Sequence, residues 1–250
     1  MVDYHIHTTF SDGEKDFKTV IDLAIQKGLT EIALTDHFDP NDESQRNQMA
    51  TYSDLKEHFD GIRNYAKNKP ISVLCGIETC TGFNGELTLQ KDVIELCDII
   101  ITSPHYIEYE GICEQGDFFN DGYWNAYKQK VLNMASGGGH ILGHPEGYLP
   151  IKPMGTQGTT YESRQEICRT ICDRYFDKDY IDELSKRLVK SHKACELHGA
   201  TSTPREWVVK QMAENGVTFS VGSDAHAMNI LGKCERAYEL IEKYSLKLFR

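Results

Sequence analysis

Nearly every run of apolar residues in this chain ends in a histidine or a carboxylate, the side chains that bind divalent metals. VDYHIH closes on His5 and His7, IALTDH on Asp36 and His37, and VLCGIE on Glu78. IIITSPH closes on His105, ILGHPE on His144 and Glu146, ACELH on Glu196 and His198, and FSVGSDAH on Asp224 and His226. Side chains two apart on a strand share a face, so His5 and His7 point the same way. Two imidazoles on an inward face need a partner other than apolar core. Asp12 follows in a Ser-Asp-Gly turn and supplies a nearby carboxylate.

Nine residues are the candidate metal ligands: His5, His7, Asp12, His37, Glu78, His105, His144, Asp224 and His226. Transition metals take about four to six donors each and carboxylates can bridge, so this set suits two or three ions. Asp36 precedes His37 and points to the opposite face, where it would orient a neighbouring ligand or accept a hydrogen bond. His58 falls mid-helix, His140 begins a strand and His192 precedes one; all three read as surface or core residues. His198 ends a strand, and ligand, substrate contact and structural residue all remain open for it.

Short apolar strands alternate with amphipathic helices, the pattern of a parallel sheet. The spacing predicts strands over 2–6, 31–35, 71–76, 98–102, 140–143, 193–197 and 217–221. It predicts helices over 15–27, 52–67, 86–97, 121–135, 178–191, 204–215 and 234–244. Pro204 suits a first helical turn, with Ser202 or Thr203 as its cap. Segments 38–51, 106–120 and 145–176 read as irregular loops leaving strand C-termini, where they would cover the mouth of a barrel. Ligands at the same end of seven strands describe an α/β barrel with one polar mouth, and 1–250 reads as a single domain.

The formal charge of −11 over 250 residues argues against broad binding to nucleic acid. No apolar run approaches the ~18 residues of a membrane span. Of the eight cysteines, Cys75, Cys97 and Cys195 read as small core residues. Cys168 and Cys172 share one helix face. The absence of C-x-x-C and of room for a signal peptide before Val2 gives a reducing, cytoplasmic setting as the expectation.

In order along the chain, the ligand motifs resemble those of the PHP (polymerase and histidinol phosphatase) family. His5-Ile6-His7 with Ser11-Asp12-Gly13 is similar to its first motif and Thr35-Asp36-His37 to its second. Gly76-Ile77-Glu78, Ser103-Pro104-His105 and Gly143-His144-Pro145 are similar to the central ones, and Gly222-Ser223-Asp224-Ala225-His226 to the last. The resemblance implies a distorted TIM-like (β/α)7 barrel with a trinuclear site of zinc, iron or manganese at the strand C-termini. It implies one ion held by His5, His7, Glu78 and Asp224. Glu78 would bridge to a second ion held also by His105 and His144, and Asp12, His37 and His226 would hold the third.

Length and the long loop after His105 are similar to the histidinol-phosphate phosphatases of this family, which implies hydrolysis of histidinol phosphate in histidine biosynthesis. The sequence departs from them after the sixth strand, where Glu196–Thr201 runs quickly into Pro204-Arg205. Three divalent ions against Asp12, Glu78 and Asp224 would leave about three positive charges, favouring a small dianion such as a phosphate monoester. The ions would activate water as nucleophile, with Asp224 and His226 sharing protonation of the leaving alkoxide.

Arg164, Arg169, Arg174 and Arg205 are candidates to grip phosphate, and His198 to contact substrate. Tyr106, Tyr109, Phe118, Phe119 and Trp124 would pack on a substrate ring or close their own loop. The rival readings are a phosphatase of nucleotides or sugar phosphates, an amidohydrolase barrel, a DNA exonuclease and a metal-binding regulatory module without turnover. Glu78 stands where an amidohydrolase would carry a lysine.

Overall fold

In the computed structural model, which describes residues 1–39, 50–155 and 160–249, seven parallel strands form one sheet in the order β1 to β7. They are Val2–Asp3 (β1), Glu31–His37 (β2), Ser72–Thr79 (β3), Ile99–Thr102 (β4), Ile141–Leu142 (β5), Ala194–His198 (β6) and Phe219–Gly222 (β7). The Tyr4 amide donates to the Val221 carbonyl at 2.8 Å and the His7 amide to the Ala225 carbonyl at 3.0 Å. These bonds bring the first strand against the last and give a nearly closed, distorted (β/α)7 barrel.

The helices lie outside the ring: Phe17–Gln26 (α1), Tyr52–Ala66 (α2), Lys91–Leu96 (α3), Asp121–Ser136 (α4), Tyr161–Tyr175 (α5), Lys178–Ser191 (α6), Glu206–Glu214 (α7) and Glu235–Tyr244 (α8). Their starts are chemically marked. Asp16, Asn120, Thr160 and Asp177 each accept a backbone N–H in the first turn, and Thr51 with Asp54 forms a reciprocal capping box before α2.

Alternation along the strands separates two environments. Ile32 and Leu34 of β2, and Cys75 and Ile77 of β3, face α1 and α2; Cys195, Leu197, Phe219 and Val221 face the α4–α8 side. Inside the ring, Tyr4, Ala33, Ile99, Ile101, Ile141 and Ala194 form a small apolar plug. Above that plug the inward positions turn polar. The apolar plug therefore fills the lower part of the ring, and its polar inward positions lie at the C-terminal ends of the strands.

All seven predicted strands are present, but two expectations need correction. The segment 145–176 is not irregular throughout: Tyr161–Tyr175 is a helix whose Cys168, Ile171, Cys172 and Tyr175 are buried on one face. Residues 156–159 of that segment, and 40–49 of the 38–51 segment, lie outside the described residues. Helix α7 begins at Glu206, with Arg205 at its cap position and Pro204 before the helix. Neither Ser202 nor Thr203 caps it; Thr203 bonds back to His198 through both backbone groups, at 2.8 and 3.2 Å.

One buried cation outside the mouth shapes stability. Lys193 is 2% exposed, and its ammonium donates to Thr102 Oγ1 at 3.2 Å, to the Met134 carbonyl at 2.6 Å and to the Gly138 carbonyl. Burial pushes its pKa down to about 7. Above that pH the unfolded chain binds the extra proton, so the Lys193 contribution becomes more favourable as pH rises from about 7 towards the ordinary lysine range. Relative to Lys193→Met, wild-type stability should therefore climb with pH over this interval, by up to ~1.4 kcal/mol per unit. Denaturant titrations at several pH values check this; parallel pH profiles for the two proteins would rule it out.

Candidate metal centre

The nine candidate ligands converge on one cavity at the C-terminal mouth. Glu78 lies at its centre. Its Oε1 is 3.1 Å from His105 Nε2 and 2.9 Å from His144 Nε2; its Oε2 is 3.0 Å from His37 Nδ1, 3.3 Å from His5 Nε2 and 3.6 Å from His7 Nε2. Strand register explains part of this, because His37 pairs directly with Glu78 across β2 and β3. Asp224 Oδ1 lies 3.1 Å from His7 Nε2 and 3.5 Å from His5 Nε2. Asp12 Oδ1 is 3.2 Å from His226 Nε2 and 3.7 Å from His37 Nε2.

Three overlapping sets have donor atoms within 4.8 Å of one another: His7, Asp12, His37 and His226; His5, His7, Glu78 and Asp224; and His37, Glu78 and His105. The second matches one ion set implied by the family resemblance. The first adds His7 to another, and the third has His37 where the resemblance places His144.

A second layer of bonds aims the imidazoles. Glu196 Oε1 is 2.7 Å from His5 Nδ1, so that nitrogen carries the proton and Nε2 turns its lone pair towards Glu78 and Asp224. His144 Nδ1 faces the Gly147 carbonyl at 3.2 Å and His226 Nδ1 the Asp224 carbonyl at 3.1 Å, which turns Nε2 towards Glu78 in the first and towards Asp12 in the second. Glu196 also accepts the His144 backbone N–H at 2.8 Å. Gly222 makes this possible: a Cβ there would stand 2.2 Å from Glu196 Oε1 and 2.6 Å from His5 Cβ.

Asp36 faces outward, as its strand position predicts, and organises the turn carrying Asp12. It accepts from the Thr8 amide at 2.7 Å, Thr8 Oγ1 at 2.8 Å and Ser11 Oγ at 2.7 Å, and pairs with His58 Nε2 at 3.1 Å. Asp3 fixes the other side, accepting the Ser223 amide at 2.8 Å and Ser223 Oγ at 2.6 Å. Two candidate ligands occupy left-handed backbone, His144 at φ 23° and Asp224 at φ 54°. Such conformations cost about 1–3 kcal/mol each and persist where surrounding bonds over-determine them.

Among the described residues, His5 Nε2, both His7 ring nitrogens, Asp12 Oδ1, His105 Nδ1 and Asp224 Oδ1 are buried with no hydrogen-bond partner. A structure rarely leaves so many polar atoms unsatisfied in one place. The donor set and these orphaned atoms fit divalent metal.

Electrostatics agree with that fit. Burial opposes charge on His5, yet Glu196, Glu78 and Asp224 hold its pKa well above the usual imidazole value. Burial likewise opposes protonation of His226, which Asp12 and Asp224 outweigh, raising it to about 9. His7 is driven the other way, to about 4, by burial and by His37 and His226. Burial disfavours the Asp12 carboxylate, but the close approach of His226 and the charge of His37 bring it down to about 2. Metal binding must displace the imidazole protons. Loading the metal-free protein with zinc at pH 7 should release at least one proton per chain, the one on His226. Apparent affinity should then rise with pH to about 9 and level off. Calorimetry in buffers of different ionisation enthalpy measures this, and a heat independent of buffer would contradict it.

The three residues expected to meet substrate have different surroundings. His198 is buried, with Nε2 3.1 Å from Asp224 Oδ2 and Nδ1 2.6 Å from Thr201 Oγ1, so both nitrogens are engaged and Nε2 holds Asp224. Arg205 is committed to Glu146 at 2.7 Å, Asp173 at 2.8 Å and the Phe176 carbonyl at 2.9 Å. Arg164 lines a cavity. Arg174 pairs with Asp121 at 3.3 Å. The loop after His105 packs on α4, where the Trp124 indole donates to the Phe118 carbonyl at 2.8 Å and Tyr123 stands edge-on to Tyr109. Glu196 was legible only as a strand end; its alternation with His198 was the available signal.

Comparisons place this architecture among known proteins. Over 99% of this chain and 95% of the other, it superposes with a TM-score of 0.69 and 19% identity on histidinol phosphate phosphatase from Lactococcus lactis, solved with zinc, L-histidinol and phosphate. That is a likeness of fold. A probable phosphatase of Thermoanaerobacter pseudethanolicus is 24% identical over 249 residues, 97% of this chain and 85% of that protein. The DNA polymerase/3'-5' exonuclease PolX of Bacillus subtilis is 25% identical over 238 residues, 92% of this chain; the match spans 35% of the polymerase's length. The family model described as the PHP domain matches residues 3–187, which hold seven of the nine converging candidate ligands, and the chain belongs to that family.

Proposed function

We propose that the chain is a metal-dependent phosphoesterase that hydrolyses a small phosphate monoester to an alcohol and inorganic phosphate. The observation that carries this reading is the set of three overlapping ligand groups around Glu78, on the wall of a cavity of about 600 Å3. In this reading the nine residues are the metal ligands. Bound divalent ions supply Lewis-acid charge for the phosphoryl oxygens and an activated water.

The chain's own residues do the rest. Glu196 and the Gly147 carbonyl hold the rings of His5 and His144, so the donors are oriented before substrate arrives. His226 is half-buried on the cavity wall, and the Asp224 carbonyl at 3.1 Å from Nδ1 orients its ring with Nε2 towards Asp12, so the departing ester oxygen takes its proton from water in the cavity. His198 holds Asp224 through Nε2, and Ala200, Ala227 and Ile230 give the cavity an apolar side for the carbons next to the ester oxygen.

Histidinol phosphate is the reference ester, supported by the sequence resemblance and the Lactococcus fold likeness. Among the described residues, no helix is long and apolar enough to cross a membrane. The test is phosphate release from histidinol phosphate, nucleotides and sugar phosphates by protein reloaded separately with zinc, manganese or iron. Release from a monoester supports the reading. Inactivity on every ester, with metal demonstrably bound, would refute it, and a strong preference for a nucleotide would displace histidinol phosphate.

A further inference from the structure

A second chamber of about 610 Å3 adjoins the metal cavity, and the two share Tyr148 and Tyr161 in their walls. We infer that this second chamber is a subsite for the leaving group, and that it selects phosphate monoesters bearing a second, anionic group on an apolar body. The inference rests on the phosphoesterase reading and specifies the substrate class that reading leaves open.

Helix geometry builds one side of the chamber. Tyr161, Arg164, Gln165 and Cys168 recur at the spacing that puts residues on a single face of α5, and all four line it. Leu149, Pro150 and Ile151 supply an apolar surface opposite, and Lys152 joins Arg164 as a second cation. Neither Lys152 nor Arg164 has a carboxylate partner among the described residues, whereas Arg174, Arg187 and Arg205 each have one. Lys152 and Arg164 are thus two exposed cations lining one chamber without a carboxylate partner among the described residues, in a chain of net charge −11. No carboxylate is among the chamber's described lining residues, so an ammonium group finds no counter-charge among them.

Tyr148 and Tyr161 form the threshold. Their ring centroids are 6.5 Å apart, and the two residues are 40% and 47% exposed although they adjoin each other and a cavity. Tyr148 sits in left-handed backbone at φ 47°, and its ring stands edge-on to His144 at 6.1 Å and to His198 at 5.3 Å. An ester held at the metal cavity can therefore send its leaving group past these two rings, placing apolar carbon against Leu149 and Ile151 and an anionic end at Arg164 and Lys152. Histidinol, with its ammonium group, is the wrong sign for that end.

The test uses metal-loaded protein and matched ω-carboxyalkyl, ω-aminoalkyl and ω-methyl phosphates over a ladder of chain lengths. The carboxylate ester should exceed the amino ester of equal length in kcat/KM by about tenfold at the best length, the scale of one charge-assisted hydrogen bond. In the Lys152→Gln/Arg164→Gln double variant, checked for unchanged metal content and circular dichroism, that ratio should fall towards one. Equal rates for the two series in wild type would overturn the proposal, as would a ratio that survives the double substitution. If no ester is hydrolysed, the phosphoesterase reading has failed, and calorimetric binding of the corresponding phosphonates then decides the chamber separately. Tighter binding of the carboxylate than of the amine, lost in the double variant, supports the subsite; equal binding contradicts it.

Discussion

Replacing Glu78 by glutamine should remove bound metal and lower turnover by about three orders of magnitude, the scale seen when one member of an interdependent catalytic set is lost. The reason is geometric. One carboxylate approaches five imidazoles, those of His5, His7, His37, His105 and His144, at 2.9 to 3.6 Å. Glutamine keeps the shape but is neutral, and one of its two polar atoms is a donor that binds no cation. Burial disfavours the Glu78 carboxylate, yet His5, His105 and His37 hold its pKa well below the ordinary value. Without it, those rings lose their shared counter-charge. Metal analysis beside phosphate release provides the check, and full metal content with undiminished turnover would remove Glu78 from the centre of the site.

Asp36→Ala should be the most destabilising single change near the site, by about 3–5 kcal/mol, although Asp36 is not a candidate ligand. Removing one partner from a buried, charged network strands the others, and that loss has this typical size. The Asp36 carboxylate is 1% exposed and is bonded to Thr8, Ser11 and His58. Burial opposes its ionisation, but His58 and its hydrogen bonds bring its pKa below the usual value. Its contribution is thus present at neutral pH and lost as pH falls through the acidic range. Denaturant unfolding of metal-free protein isolates the effect from metal binding. A midpoint within experimental scatter of wild type, at unchanged slope, would show that the Thr8–Asp12 turn holds itself.

Much of this was legible because the relevant signals are local. Alternation along IALTDH sends Thr35 and His37 inward and Asp36 outward, and the structure follows it residue by residue. The apolar runs place the seven strands because each is bounded by turn-forming residues and an amphipathic helix. Helix α5 was legible only as the shared face of Cys168 and Cys172, because its buried side adds little more than Ile171 and Tyr175, a sparse apolar signal inside a polar stretch. Pairings between distant elements left no periodic trace. His58 of α2 meets Asp36 of β2, Arg205 meets Glu146 across 59 residues, and Glu196 meets His5 across 191. These contacts depend on barrel closure. The chamber beside the metal cavity is of the same kind, since it exists only once α5 packs beside the segment after β5.

Anomalous diffraction from crystals of the full chain grown with manganese or zinc tests the central claim most directly. The account predicts two or three metal peaks enclosed by His5, His7, Asp12, His37, Glu78, His105, His144, Asp224 and His226, with Glu78 between two of them. Peaks elsewhere on the chain, or none at this mouth under saturating metal, would contradict it.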